Sequence, residues 1–126
     1  VIVVTNQRGI ARGLMTEHDL MTVHEKMNRE LQQHGAAING IYYCPHDIDA
    51  HCHCRKPETG MLVQAALDFD IDKEVSYMVG DSKSDIEAGV NFGIKAILVG
   101  LRLEGVLYAT DLLSAVVDII LKGDIV

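Results

Sequence analysis

The sequence has no tryptophan, two phenylalanines and two prolines in 126 residues. With so few large aromatics, aliphatic side chains must fill most of any core. No apolar run approaches the ~20 residues a helix needs to cross a membrane. No basic start, apolar middle and small-residue cleavage site occur in succession. Cations are scarce: 11 Lys and Arg stand against 18 Asp and Glu, a net charge of −7. That argues against nonspecific nucleic-acid binding, which needs clustered cations, but allows a local cationic pocket. The three cysteines cannot all pair within the chain, and Cys52 and Cys54 are too close for an unstrained disulfide. A reducing compartment, with thiolates available to a metal, fits them better. The length allows one domain at most.

All three cysteines, both prolines and half of the histidines fall between Cys44 and Pro57. Cys44-x-His46 and Cys52-x-Cys54 offer three thiolates and one imidazole. Four N/S ligands suit tetrahedral Zn²⁺, and a site closed entirely by protein is structural. The spacing within each pair is tighter than usual, but two close pairs across a short loop still form a clamp. His51 and His53 compete for the fourth place; His46 is preferred because its pairing with Cys44 mirrors that of Cys52 with Cys54. The alternative is a polar loop with free thiols.

Around this loop the chain alternates. Val1–Val4 is a continuous β-branched run, as in a strand buried on both faces, and Thr5–Gly9 is a polar loop at its carboxyl end. A buried strand is an odd first element and position 1 is not Met, so a native N-terminal segment is expected to be missing. Ile10–Met15 reads as loop. A helix runs from the cap Thr16 to His34, with Leu20, Val23, Met27 and Leu31 at helical spacing and Gly35 as its stop. Met15, Met21 and Met27 read as core filler. Ile38–Tyr43 is a second strand. A helix after Pro57 carries Leu62, Ala65, Ala66 and Phe69, and Asp68, Asp70 and Asp72 follow as a solvated turn. Val75–Val79 is a third buried strand and Ile94–Val99 a fourth, with a helix between them that stops at Gly93. Leu101–Ala109 reads as loop, and Thr110 caps a last helix bearing Leu113, Val116, Val117, Ile120 and Leu121. This order, β-α-β-loop-α-β-α-β-α, predicts an α/β domain with a parallel sheet and helices on both faces.

Three further places can carry chemistry. Thr5 and Asn6, at a strand's carboxyl end, can hydrogen-bond an anionic oxygen. In Gly80-Asp81-Ser82-Lys83-Ser84-Asp85, Asp81 can bind Mg²⁺ through hard oxygens. Equally, Asp81 or Ser82 can be an N-cap, with Asp85 compensating the helix dipole. Arg55-Lys56, held by a metal clamp, suits a phosphate; otherwise the two are a solvated pair. Hydroxyl, cation and metal-binding carboxylate converging at one sheet edge would suit phosphoryl transfer.

A strand ending in Thr5-Asn6, then Lys56, then Gly80-Asp81-x-x-x-Asp85 resembles motifs two to four of the haloacid dehalogenase superfamily. Thr5-Asn6-Gln7-Arg8-Gly9-Ile10-Ala11-Arg12-Gly13, Tyr42-Tyr43-Cys44-Pro45-His46 and Cys52-x-Cys54-Arg55-Lys56-Pro57 resemble, more narrowly, its D-glycero-D-manno-heptose 1,7-bisphosphate phosphatases. The likeness spans about Val1 to Val99. It implies a Rossmann-like three-layer α/β/α sandwich and a cytoplasmic, monomeric, Mg²⁺-dependent phosphatase. The substrate it implies is a small sugar phosphate that loses its 7-phosphate in nucleotide-heptose and lipopolysaccharide precursor synthesis; it implies no nucleic-acid or membrane partner. Thr5 and Asn6 would bind the transferred phosphoryl group, and Lys56 would balance its charge. Arg55 would contact the other phosphate. Asp81 would be a Mg²⁺ ligand supported by Asp85, and Cys44, His46, Cys52 and Cys54 would hold structural Zn²⁺.

The superfamily's first motif, an Asp-x-Asp that supplies the nucleophile, has no counterpart in place. Asp47-x-Asp49 lies in the metal loop and Asp68-x-Asp70-x-Asp72 at a helix end. The pattern puts the missing motif upstream of Val1. The 126 residues then form a single, N-terminally incomplete phosphatase domain, inactive and poorly stable alone. Histidinol-phosphate phosphatases share the Cys-x-His and Cys-x-Cys-Arg-Lys-Pro arrangement, though Gly9–Gly13 favours the heptose enzymes. A noncatalytic zinc-stapled binding module is the alternative from another class.

Overall fold

The computed structural model describes residues 1–123, which form two compact units. The first comprises Val1–Arg55 and Gly60–Asp68. Its two strands, β1 (Ile2–Asn6) and β2 (Gly40–Cys44), run parallel in a register that pairs Thr5 with Tyr43 and Asn6 with Cys44. The ladder continues one step beyond β1, where the Gln7 N–H donates to the Cys44 carbonyl at 2.8 Å. The tip of β1 is thereby fixed beside the start of the metal loop.

The polar residues after β1 do not form a simple loop. Arg8–Ala11 makes one helical turn, α1, and Thr5 and Asn6 belong to the strand itself. Helix α2 (Glu17–Gln33) begins at Thr16, whose hydroxyl accepts from the Asp19 N–H while the Asp19 carboxylate accepts from the Thr16 N–H. This reciprocal cap satisfies two donors that the first turn would otherwise leave open. Gly35 follows with φ of 72°, a left-handed conformation that suits glycine. Of the apolar residues expected to face a core, Leu20 is buried, but Val23 and Met21 are exposed. The helix buries a narrower stripe than its apolar content allows.

A short 3₁₀ turn (Ile48–Ala50) sits inside the metal loop, and α3 (Gly60–Asp68) follows it. Met61, Leu62 and Ala65 are the buried residues of α3, and Phe69 lies just past its end. The expected burial of the first strand on both faces does not hold. Ile2–Asn6 are all partly exposed and Val1 is exposed. β1 pairs with β2 alone among the described residues, so β-branched character here outruns burial.

The second unit comprises Lys56–Thr59 and Phe69–Val126. Its parallel strands β3 (Tyr77–Gly80), β4 (Lys95–Val99) and β5 (Leu107–Ala109) lie in that order. Helix α4 (Lys83–Phe92) connects β3 to β4 and packs closely on both. A Cβ on Gly89 would come within 2.7 Å of the Met78 Cβ. Ile97, Ala109 and Ala115 are buried at the centre of this unit, with Tyr77, Val79, Val99, Ile119 and Ile120 packed around them.

Four expectations change here. Val75 is exposed, and β3 begins only at Tyr77. The stretch read as loop contains β5. The last helix is capped by Asp111, whose carboxylate accepts from the Ser114 N–H at 2.7 Å, not by Thr110. After Leu112–Ser114 (α5) it widens into a π-helical stretch over Ala115–Ile120. That shift alters the face assumed from a 3.6-residue period, and Leu113 and Leu121 are exposed. Asp68, Asp70 and Asp72 are exposed, as expected of a solvated turn.

Candidate functional site

The metal loop gathers its donors. One ligand atom each from Cys44, His46, Cys52 and Cys54 lies within 4.8 Å of all the others. The Cys44 sulfur is 3.6 Å from that of Cys52, 2.9 Å from that of Cys54 and 3.5 Å from His46 Nδ1. Ligands at ordinary Zn–S and Zn–N distances stand about 3.5–3.8 Å apart across a tetrahedron, so the four donors fit zinc after shifts of about 1 Å or less. His51 and His53 lie outside the cluster; the imidazole is the one whose spacing mirrors the Cys-x-Cys pair.

Burial pushes Cys54 up to about 12, and the neighbouring Cys44 and Cys52 add to the rise. Burial opposes ionisation of Cys52 too, but the Arg55 N–H and the adjacent thiols bring it down to about 6. A thiolate among these crowded sulfurs disfavours ionisation of Cys54. A divalent cation at their centre resolves that conflict.

The loop closes tightly onto α3. The Gly60 N–H donates to the His53 carbonyl at 2.8 Å, and a Cβ on Gly60 would collide with that carbonyl. Arg55 comes directly after the last ligand. Its Nη1 is buried and has no hydrogen-bond partner among the described residues. An unsatisfied buried guanidinium nitrogen costs free energy unless something binds it.

At the tip of β1, a residue not singled out from the sequence takes part. Gln7 Nε2 donates to Thr5 Oγ1 at 2.9 Å. That bond occupies an acceptor position on the hydroxyl and leaves its proton for another partner. The only signal in the sequence is Gln7's place two residues after Thr5. Thr5 and Asn6 are both partly exposed.

In the second unit, Asp85 is the centre of the turn after β3. Its Oδ2 accepts from the Asp81 N–H (3.1 Å), the Ser82 N–H (3.2 Å) and the Ser82 hydroxyl (2.9 Å). Its Oδ1 takes the Lys56 ammonium at 2.5 Å. Burial alone would raise the Asp85 pKa; Lys56 and Ser82 outweigh it and hold the carboxyl below its ordinary value. A Cβ on Gly80 would collide with this carboxylate, which explains glycine at the strand's end.

Ser82 is the N-cap of α4, and Asp85 completes its capping box. The cap therefore does not use Asp81, which is exposed one residue earlier. Asp81 offers hard oxygens of the kind Mg²⁺ takes, one or two carboxylates being enough when water and substrate complete the shell. Asp85, already engaged by four donors, supports that turn.

Comparison with known proteins covers nearly the whole chain. The HAD-hydrolase-like family profile matches residues 53–118. The chain is 39% identical to the D-glycero-beta-D-manno-heptose-1,7-bisphosphate 7-phosphatase of Haemophilus ducreyi, over 95% of its own length and 72% of the relative's. It is 42% identical to the enzyme of that name from Yersinia pestis, over 78% of the chain and 57% of the relative. Among solved structures it is similar to a D,D-heptose 1,7-bisphosphate phosphatase from B. bronchiseptica complexed with magnesium and phosphate. That likeness has a TM-score of 0.89 and 34% identity, and covers 98% of this chain and 75% of the other. The fold class is thus α/β, as the strand–helix alternation predicts, and Rossmann-like, as the family resemblance implies. The chain spans 57% and 72% of these two curated relatives. No helix among the described residues is long and apolar enough to cross a membrane.

Proposed function

The chain belongs to the haloacid dehalogenase (HAD)-like hydrolases, and on that premise we propose that the whole protein is a phosphatase removing the 7-phosphate of D-glycero-D-manno-heptose 1,7-bisphosphate. The products are inorganic phosphate and the heptose 1-phosphate. We place it in nucleotide-heptose and lipopolysaccharide precursor synthesis, as a cytoplasmic monomer in which residues 1–126 contribute to one phosphatase domain.

The observation that carries this reading is Lys56, the second residue after the metal clamp. Its ammonium is anchored to Asp85 on the same turn that presents Asp81. A fixed cation and an exposed carboxylate, both tied to one Asp85, are equipment for offsetting phosphoryl charge and for holding a metal respectively. Magnesium, when bound, draws charge from the phosphoryl oxygens; Asp81 is the ligand this chain supplies. Thr5, through its hydroxyl proton, and Asn6, through its amide, are the phosphoryl-binding donors that the family resemblance implies. Lys56 offsets the negative charge of phosphate and nucleophile together. Arg55 meets the substrate's second phosphate, for which its Nη1, unpartnered among the described residues, is suited. Zinc held by Cys44, His46, Cys52 and Cys54 would have no open position for water or substrate and so would be structural. It fixes the backbone from which Arg55 and Lys56 project.

The 126 residues do not supply a nucleophile of the family's kind. Asp47 and Asp49 lie at the 3₁₀ turn, and Asp68, Asp70 and Asp72 at and after the end of α3. No aspartate ends β1. The chain by itself is therefore expected to bind zinc but not to turn over. Assaying the whole protein with Mg²⁺ against the heptose bisphosphate and histidinol phosphate tests this function. Preference for histidinol phosphate, or no hydrolysis of either, would overturn it, the latter in favour of a zinc-stapled binding module.

A further inference from the structure

The four zinc donors fix residues 44–46 and 52–54, but not the five residues between the two pairs. That tip is held from outside. Arg12 Nε donates to Asp47 Oδ2 at 2.7 Å, and Arg12 Nη2 approaches Asp47 Oδ1 at 3.4 Å. The same Asp47 carboxylate accepts from the Ile48 N–H at 2.7 Å and so starts the 3₁₀ turn. Arg12 is the C-cap of α1, the single helical turn after the Thr5-Asn6 strand end. Its own backbone is tied down by a bond from its N–H to the Arg8 carbonyl. Arg8 and Asp49 add charges of the favourable sign around the pair.

We infer that Arg12 and Asp47 form a latch that sets how the tip of the metal loop stands over the turn after β1. This deepens the phosphatase reading and rests on it. Two links then run between the β1 tip and the metal loop. The Gln7 N–H to Cys44 carbonyl bond secures the base, and the Arg12–Asp47 fork secures the tip. Zinc, when bound, would set the shape of the clamp; the fork sets its orientation. A two-point guanidinium–carboxylate contact restricts direction as well as distance, which a single point charge does not. Arg12 is half exposed, so the pair adds little to global stability. Its effect falls on the position of a loop. Arg12 and Asp47 are positioning residues and touch no reacting atom.

The test uses the whole, zinc-loaded protein carrying Arg12→Ala, Asp47→Asn, Arg12→Lys, or the first two together. Asparagine still caps Ile48, so Asp47→Asn removes the ion pair and keeps the turn. Two readouts are taken: KM and kcat for the bisphosphate, and the rate at which zinc passes to a chromophoric chelator. Each of the two single changes should raise KM about fivefold and speed zinc transfer, with kcat changed less than about twofold. The double variant should be no worse than either single one, because both break the same contact. Arg12→Lys should fall between, retaining charge without the fork. An unchanged KM, or effects that simply add, would overturn the latch. If no form of the protein hydrolyses the bisphosphate but zinc transfer still follows this pattern, the latch stands and the phosphatase reading falls.

Discussion

The Lys56 ammonium lies 2.5 Å from Oδ1 of Asp85, with 11% and 8% of the two side chains exposed. Because Asp85 also gathers the Asp81 N–H and both donors of Ser82, one carboxylate organises the cation and the turn that presents Asp81. Removing one member of a buried pair leaves the other charge uncompensated, which typically costs about 3–5 kcal/mol. Asp85→Ala should therefore lower the unfolding free energy of the whole protein, read from denaturant unfolding, by an amount in that range and abolish turnover. Retention of both stability and activity would show that Lys56 is held by something else.

The Thr5 hydroxyl depends on Gln7 for its direction. Gln7→Ala removes a neutral hydrogen bond worth about 1 kcal/mol, so kcat/KM should fall about fivefold. Gln7→Glu should do more harm, since a carboxylate competes for the Thr5 proton and repels phosphate. The inhibition constant of inorganic phosphate should rise in the same order. Equal effects of Ala and Glu would mean that Gln7 does not orient the hydroxyl.

Zinc is expected to act on binding, not on chemistry. Cys52→Ser should release the metal and raise KM several-fold, while Mg²⁺-dependent turnover at saturating substrate persists. Metal content by elemental analysis and steady-state kinetics check this together. A zinc-free protein with normal KM and stability would deny the loop its role.

A pH dependence follows from the cap of α2. Hydrogen bonds from the Thr16 N–H, and then the Thr16 hydroxyl, hold the Asp19 carboxyl below its ordinary value. A lowered folded pKa contributes stability above the unfolded value of about 4, and that contribution is lost as pH falls through the folded one. Thermal midpoints of the whole protein should thus fall less steeply below pH 4 in Asp19→Asn than in the unaltered protein. Identical acid limbs would contradict that cap's role.

Much of this was legible in the sequence because the relevant signals are local. Thr16 and Gly35 bound α2, Gly93 ends α4, and the paired Cys/His spacing identifies the four metal donors. What was missed depends on tertiary context. β5 is three residues long, too short for any period to register, and exists through its pairing with β4. The last helix widens to π over Ala115–Ile120, so faces counted at 3.6 residues per turn misplace Leu113 and Leu121. At the site, Lys56 and Asp85 are 29 residues apart and Arg12 and Asp47 are 35 apart. No spacing rule joins such pairs; only the folded chain brings them into contact.

The most direct measurement is phosphate release from D-glycero-D-manno-heptose 1,7-bisphosphate by the whole protein and by the 126 residues alone, each loaded with zinc and supplied with Mg²⁺. Release of the 7-phosphate by the whole protein, absent from the 126 residues and abolished by Lys56→Ala, is the expected result. Turnover by the 126 residues alone, or a whole protein that binds zinc but leaves the bisphosphate intact, would contradict the proposed phosphatase.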